Sequence, residues 1–340
     1  MAQNIMPVIS VLMPVYNCRP FIEESVNSIL KQTFIDFELI IIDDCSTDGT
    51  YEYLQALSDK RIRLIRKERN SGYTISLNIG LEMALGKYIA RMDGDDISLP
   101  DRFEKQVIFL EKNPECILVG AGYKIIDSDR YWIPAEREHD KIVVAMLEHS
   151  PFAHPTVMLR NRVLEMHQIK YDIGYEPAED YKLWTRLQNY GRLANMPEAV
   201  LLYRYHPNQT SVVRAKRQAD ITSQIQRELM AELCGDENLK EEDVLVIIND
   251  RNDLRAYFEN EASLKKCLEK KGNTQTQAFY EARANRMLLK SVQQQQNKFL
   301  FCVSLIPSLL KNANKTNLWF FSKLLIKSLL PGGYPKAGRQ

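Results

Sequence analysis

The chain has 340 residues, 45% of them hydrophobic and 26% charged, with a formal net charge of +1. That length allows one large domain plus an appendage, and the charge total gives no footing for nucleic acid as a partner. The six cysteines (Cys18, Cys45, Cys116, Cys234, Cys267, Cys302) are scattered with no C-x-x-C pair, which argues against a disulfide frame or a zinc knuckle and for a reducing compartment.

In chain order, Val8–Met13 is a short apolar run closed by Pro14 and reads as a buried strand, followed by helical spacing from Phe21 to Lys31. Glu38–Asp43 (ELIIID) is β-branched and apolar almost to its end, the mark of a strand covered on both faces. Tyr51–Leu57 reads as helix, Ile62–Ile65 as strand, Ser76–Ala84 as helix and Lys87–Met92 as strand. Leu99–Lys112 then reads as helix and Ile117–Gly120 as strand. This alternation predicts an α/β fold with a mostly parallel sheet and helices on both faces. Residues 126–215 mix short strands and loops with one helix around Glu179–Tyr190. From about Lys216 the pattern is helical and charged, with a surface loop at Asp236–Asp243 and a helical or linker stretch at Gln293–Gln296.

Open parallel sheets bind ligands at the carboxyl ends of their strands, and three polar clusters fall there: Pro14–Asn17 (PVYN), Asp43–Gly49 (DDCSTDG) and Asp93–Asp96 (DGDD). Ser46, Thr47 and Asp48 are explained as a helix cap and Gly49 as a turn. Asp44 is left over, and a carboxylate there suits a base N–H or a ribose hydroxyl. In the third cluster, Asp101 and Glu104 suit the start of the following helix. Asp93, Asp95 and Asp96 lie so close that they repel unless something neutralises them, and a hard divalent ion takes carboxylates together with substrate phosphates. A solvated acidic turn is the alternative.

The series PVYN (14–17), VNSILKQTF (26–34), IIDDCSTDGT (41–50), N-x-G-x-x-x-S-x-N-x-G (70–80), A-x-G-x-Y-I-A-x-M-D-G-D-D (84–96) and P-D-R (100–102) resembles the family 2 glycosyltransferases, in order and spacing, over roughly residues 7–211. The resemblance implies a GT-A fold over residues 1–215, with a nucleotide-binding half to about 125 and an acceptor half from 126. It implies inverting transfer from a UDP-sugar donor to a glycan or lipid-linked saccharide acceptor. Pro14 and Tyr16 would border the nucleotide and Asp44 would bind uracil. Asn70, Gly72 and Asn78 would line the pocket, and Asp93 would contact ribose. Asp95 would hold Mn²⁺ or Mg²⁺ against the diphosphate, while Asp96 would contribute less directly.

Pro177–Trp184 (PAEDYKLW) resembles the family's E-D segment, which makes Asp180 the general base and Glu179 a group orienting the acceptor; a capped helix start explains the same two residues. Trp184 reads as core in preference to an acceptor platform. Tyr203–His206 (YRYH) with Gln209–Ser211 (QTS) matches the Y-R-x-H…S pattern, in which His206 would complete the metal shell and Arg204 would offset the charge of departing UDP. Processive members carry Q-x-x-R-W and flanking membrane spans. Here the segment reads LWTRLQNYG, which implies single additions.

Residues 216–340 read as a helical extension. From Ala282 to Gln340 there are ten Lys or Arg and no Asp or Glu. Its apolar runs, Phe299–Leu310 and Leu318–Leu330, fall short of the roughly 18 residues that span a bilayer. Basic residues among them fit an interfacial helix on an anionic membrane, with packing on the catalytic domain or a homodimer contact as the alternative. The N-terminus lacks a signal-peptide pattern. The expected location is therefore cytoplasmic, at the inner face of the plasma membrane if residues 299–330 dock there. The competing functions are a non-catalytic nucleotide-sugar-binding module, and a sugar nucleotidyltransferase, whose Gly-rich, Arg-containing first loop is replaced here by PVYNCRPF.

Overall fold

The computed structural model describes residues 6–207 and 209–234. The first half runs β1 (Ile9–Val15), α1 (Ile22–Leu30), β2 (Phe37–Asp43), α2 (Thr50–Gln55), β3 (Ile62–Arg66), α3 (Tyr73–Met83), β4 (Tyr88–Arg91). It continues with β5 (Ile97–Ser98), α4 (Arg102–Lys112) and β6 (Cys116–Ile125). The second half is β7 (Tyr131–Trp132), α5 (His139–Ala145), a 3₁₀ turn at His154–Thr156, β8 (Met158–Arg160) and α6 (Asn161–Met166). A second 3₁₀ turn at Ile173–Tyr175 leads into α7 (Glu179–Leu187), β9 (Arg192–Tyr203), α8 (Thr210–Val213) and α9 (Ala215–Cys234). Every element expected up to residue 120 is present, displaced by a few residues at its ends.

Among the described residues one sheet of nine strands has the order β3-β2-β1-β4-β8-β6-β9-β5, with β7 on β6. From β3 to β4 it is parallel. Beyond β4 the mostly parallel sheet takes in antiparallel strands: β8 runs antiparallel to both β4 and β6, and β5 antiparallel to β9, while β6 and β9 are parallel. Apolar periodicity marks a strand without giving its direction. Direction follows from the connection, and β8 is entered from a 3₁₀ turn, not from a full crossover helix.

The helices cover both faces. Ile9, Val11, Met13 and Val15 of β1 share a core with Ile22, Val26 and Ile29 of α1 and Phe103, Val107 and Leu110 of α4. Alternate residues turn the other way, so the Leu12 side chain lies 3.2 Å from where a Cβ on Gly80 of α3 would be. At the amino edge, the Ser10 hydroxyl donates to Glu38 and accepts from the amides of Leu85 and Gly86. A Cβ on Gly86 would come within 2.4 Å of the Ser10 backbone nitrogen. Gly86→Ala is therefore expected to destabilise the fold by roughly 1–3 kcal/mol, read as a lower denaturation midpoint at unchanged m-value.

One compact unit ends at Thr222. Among the described residues no helix is long and apolar enough to cross a membrane. The Asp236–Asp243 loop, the Gln293–Gln296 stretch and the basic tail at 299–330 lie outside the described residues.

Candidate active site

The three predicted clusters meet on one sheet edge because β1, β2 and β4 are adjacent and parallel. The first two loops are laced together. The Asn17 amide donates to the Ser46 hydroxyl at 3.0 Å, the Thr47 amide to Asn17 Oδ1 at 2.9 Å and the Arg19 amide to Asp48 at 2.9 Å. Asp48 also accepts from the Thr50 amide at the start of α2, whereas Ser46 and Thr47 bond Asn17, so of the three expected caps only Asp48 acts on the helix start. Asn17, Cys45, Gly49 and Gly72 all have positive φ on this edge, the kind of backbone strain that gathers at functional sites. Pro14 lies in β1, and Tyr16 follows it with its side chain 48% exposed.

Asp44 is buried. Its carboxylate accepts from the amides of Ser71 and Gly72, both at 2.9 Å, and pairs with Lys67 at 2.6 Å. Asp44 thus shapes the 70–72 turn, and only Oδ2 keeps acceptor capacity. Asn70 Oδ1 accepts from the Gly72 amide as well. Gly72 needs to be glycine: its φ is 95°, and a Cβ would lie 3.1 Å from Glu176 Oε2. Asn78, expected in the pocket lining, is half-buried and held by Tyr171. Its amide donates to the Tyr171 carbonyl and accepts from the Tyr171 amide, both at 2.9 Å, because α3 is the seam between the two halves of the domain.

The crowded aspartates have separate partners. Asp93 pairs with Arg91. Asp95 Oδ2 lies 2.8 Å from His206 Nε2. Asp96 is 1% exposed and accepts from the Arg204 amide at 2.9 Å, while its Oδ2 is buried without a partner. Burial, then the charges of Asp93 and Asp95, push the Asp96 carboxyl well above the usual range. Crowding by itself therefore does not force a cation, contrary to the expectation from sequence. The donor set nevertheless fits one. Asp93, Asp95 and Asp96 offer oxygens within 4.8 Å of one another, and Asp95 with His206 presents two donor atoms close enough to share an ion.

Arg204 donates from Nε to the Asp95 carbonyl at 2.8 Å and pairs with Glu24, and its guanidinium lies 4.9 Å from the Phe21 ring. It braces the loop, with its charge beside the aspartates. Arg102, from the P-D-R motif, is fully buried and donates to the carbonyls of Arg91 and Val157, tying β4 to the entry of β8.

Glu179 and Asp180 open α7. Glu179 is 2% exposed and accepts from the Tyr73 hydroxyl, at the start of α3, at 2.7 Å. Burial and then Asp180 push its carboxyl up to about 8. Burial also raises Asp180, to about 6, against the opposing pull of the first-turn amides and Arg91. Both carboxyls of this interacting pair are therefore held above the usual carboxylate range, chiefly by burial. Trp184 is fully buried, as expected of core.

Sequence reasoning missed Lys67, Tyr73, Arg91, His154 and Tyr171. Arg91 did leave a signal, a lone charge inside a buried strand. The others are ordinary residues until the fold supplies their partners, from 17 positions away for His154 and Tyr171 to 106 for Tyr73 and Glu179.

The family model described as "Glycosyl transferase family 2" matches residues 10–174. A Haemophilus influenzae protein named "Uncharacterized glycosyltransferase" is 40% identical over 239 residues, which is 65% of this chain and 73% of that protein. The "O-antigen biosynthesis glycosyltransferase WbnJ" of Escherichia coli is 34% identical over 220 residues, covering 62% and 84% of the two chains. The structure titled "Crystal structure of S. aureus TarS 1-349 in complex with UDP" superposes with a TM-score of 0.55 at 20% identity, over 94% of this chain and 90% of that one. At that identity the likeness establishes a shared fold.

Proposed function

The chain belongs to glycosyl transferase family 2, and from that premise we propose that it moves one sugar from a UDP-sugar to a hydroxyl of a glycan or lipid-linked saccharide in surface-polysaccharide synthesis. The observation that carries this reading is the convergence of the aspartate loop and the Glu179–Asp180 pair. Arg91, paired with Asp93, is close enough for its charge to act on both carboxyls of α7. UDP in the complex of the TarS structure and O-antigen synthesis in the name of WbnJ support the donor and the setting.

In this reading Tyr16 and Pro14 border the base, and Asp44, Asn70 and Gly72 shape the turn beside it. Asp93 meets the ribose. Asp95 and His206 hold Mn²⁺ or Mg²⁺, which when bound offsets the charge gathering on the leaving diphosphate. Arg204 adds positive charge at the same place. Inversion is a single displacement, so Asp180 takes the acceptor proton on the face opposite the leaving group. Glu179, fixed by Tyr73, orients the acceptor hydroxyl.

Two tests follow. Screening UDP-sugars for cation-dependent UDP release is expected to find one strongly preferred donor; no release with any of them, acceptors included, would leave the non-catalytic binding module as the better reading. The raised Asp180 carboxyl also sets a pH limb. Only the ionised form accepts a proton, so kcat/KM is expected to climb as pH rises towards about 6 and to level above it. A flat profile between pH 5 and 7 in a chemistry-limited assay would remove Asp180 as the base.

A further inference from the structure

The 3₁₀ turn carrying His154 sits where β8 enters beside the carboxyl end of β4, next to the aspartate loop. His154 Nε2 lies 2.9 Å from the Tyr171 hydroxyl. Its ring meets Trp184 edge-on, with centroids 5.8 Å apart, one helical turn beyond Asp180. His154 therefore touches α7 on one side and borders Arg91 of β4 on the other. Burial, followed by the nearby Arg91 charge, holds its pKa well below the usual value, so the ring is neutral. Neutral imidazole with one nitrogen committed keeps one polar atom to offer.

That atom, Nδ1, has no partner among the described residues and is not sealed from solvent. Its surroundings are also short of acceptors. Trp184 is fully buried with its indole N–H unpartnered, and Arg91, 6% exposed, has Nε unpartnered. Buried donors of this kind normally have a partner. Sugar hydroxyls are acceptors as well as donors. In an inverting displacement the transferred sugar must lie between the leaving diphosphate and the base, and in the proposed reaction Arg91 and His154 would flank it, since Arg91 pairs with Asp93 and the His154 ring meets Trp184 one turn beyond Asp180.

Resting on the function proposed above, we propose that His154 is a specificity-determining contact, hydrogen-bonding through Nδ1 to a hydroxyl of the transferred sugar while Tyr171 fixes its ring. Neither the nucleotide nor the cation is touched by this group. It therefore separates recognition of the sugar from recognition of UDP.

The two conservative amides separate the nitrogens. Glutamine reaches as Nε2 does and keeps the Tyr171 link without the Nδ1 arm; asparagine places its polar atoms near Nδ1 and gives up Tyr171. Dissociation constants would be measured with Mn²⁺ for UDP and for UDP-glucose, UDP-galactose, UDP-GlcNAc and UDP-GalNAc. His154→Gln is expected to weaken the preferred sugar nucleotide by about threefold to tenfold, to narrow the ranking over the panel and to leave UDP unchanged. His154→Asn is expected to stay closer to the parent. The opposite order of the two variants would mark a purely structural tie to Tyr171 and overturn the proposal, as would an unchanged ratio of UDP to UDP-sugar affinity in His154→Gln. If the parent protein binds UDP but none of the four sugar nucleotides more tightly, the sugar contact fails while nucleotide binding stands. If it binds no uridine nucleotide at all, the function fails first and takes the contact with it.

Discussion

Asp180→Asn is expected to lower kcat by about 10²–10⁴-fold, the range for losing a positioned general base, while leaving UDP affinity within about twofold. The substitution keeps side-chain size at the start of α7 and removes only the capacity to accept a proton. Protein of parental stability is expected, because the aspartate is itself held above its ordinary range by burial and its loss relieves a desolvated charge. Single-turnover transfer with the preferred donor, alongside calorimetry with UDP, checks both halves. Unaltered transfer by Asp180→Asn would move the base elsewhere, and Glu179 is a poor replacement: it is 2% exposed and tied to Tyr73.

Asp95→Asn is expected to act on the opposite side of the sugar. It should lower kcat/KM by roughly 10²–10³-fold, the cost of removing one group that stabilises developing charge, and abolish the gain in UDP affinity on adding Mn²⁺ or Mg²⁺. The amide retains a partner for His206, which lies 2.8 Å away, so the loop keeps its shape. Asp96→Asn makes the informative contrast. Asp96 is buried, burial pushes its carboxyl well above the usual range, and it receives the Arg204 amide. An asparagine there still accepts that bond, and the cation dependence of UDP binding should persist. Equal loss from both substitutions would argue that the whole aspartate loop acts as one ligand set.

The two substitutions together probe a division in the site. In the proposed reaction Asp95, His206 and Arg204 would serve the diphosphate side, and Asp180 and Glu179 the acceptor side. Arg91 stands between them, paired with Asp93 and felt by both α7 carboxyls. A guanidinium buried in β4 is costly to fold around unless its charge is used, and here it serves both sides.

Much was determined by the sequence alone. Alternating periods located the strands and helices up to residue 120 except the two-residue β5, and put the acidic clusters at strand ends, because both signals are local: a few consecutive side chains decide them. The role of Asp48 at the start of α2 and the core position of Trp184 were readable for the same reason. Only the tertiary structure decided the direction of β8, the use of Asn78 as a clamp on Tyr171 and the identity of each aspartate's partner. It also decided that Glu179 and Asp180 are both raised, since a pKa depends on who else is buried nearby. Asp95 and His206 are 111 positions apart, Tyr73 and Glu179 106. No periodicity carries information over such separations; the packing of α3 and β9 against the rest of the sheet brings those groups together.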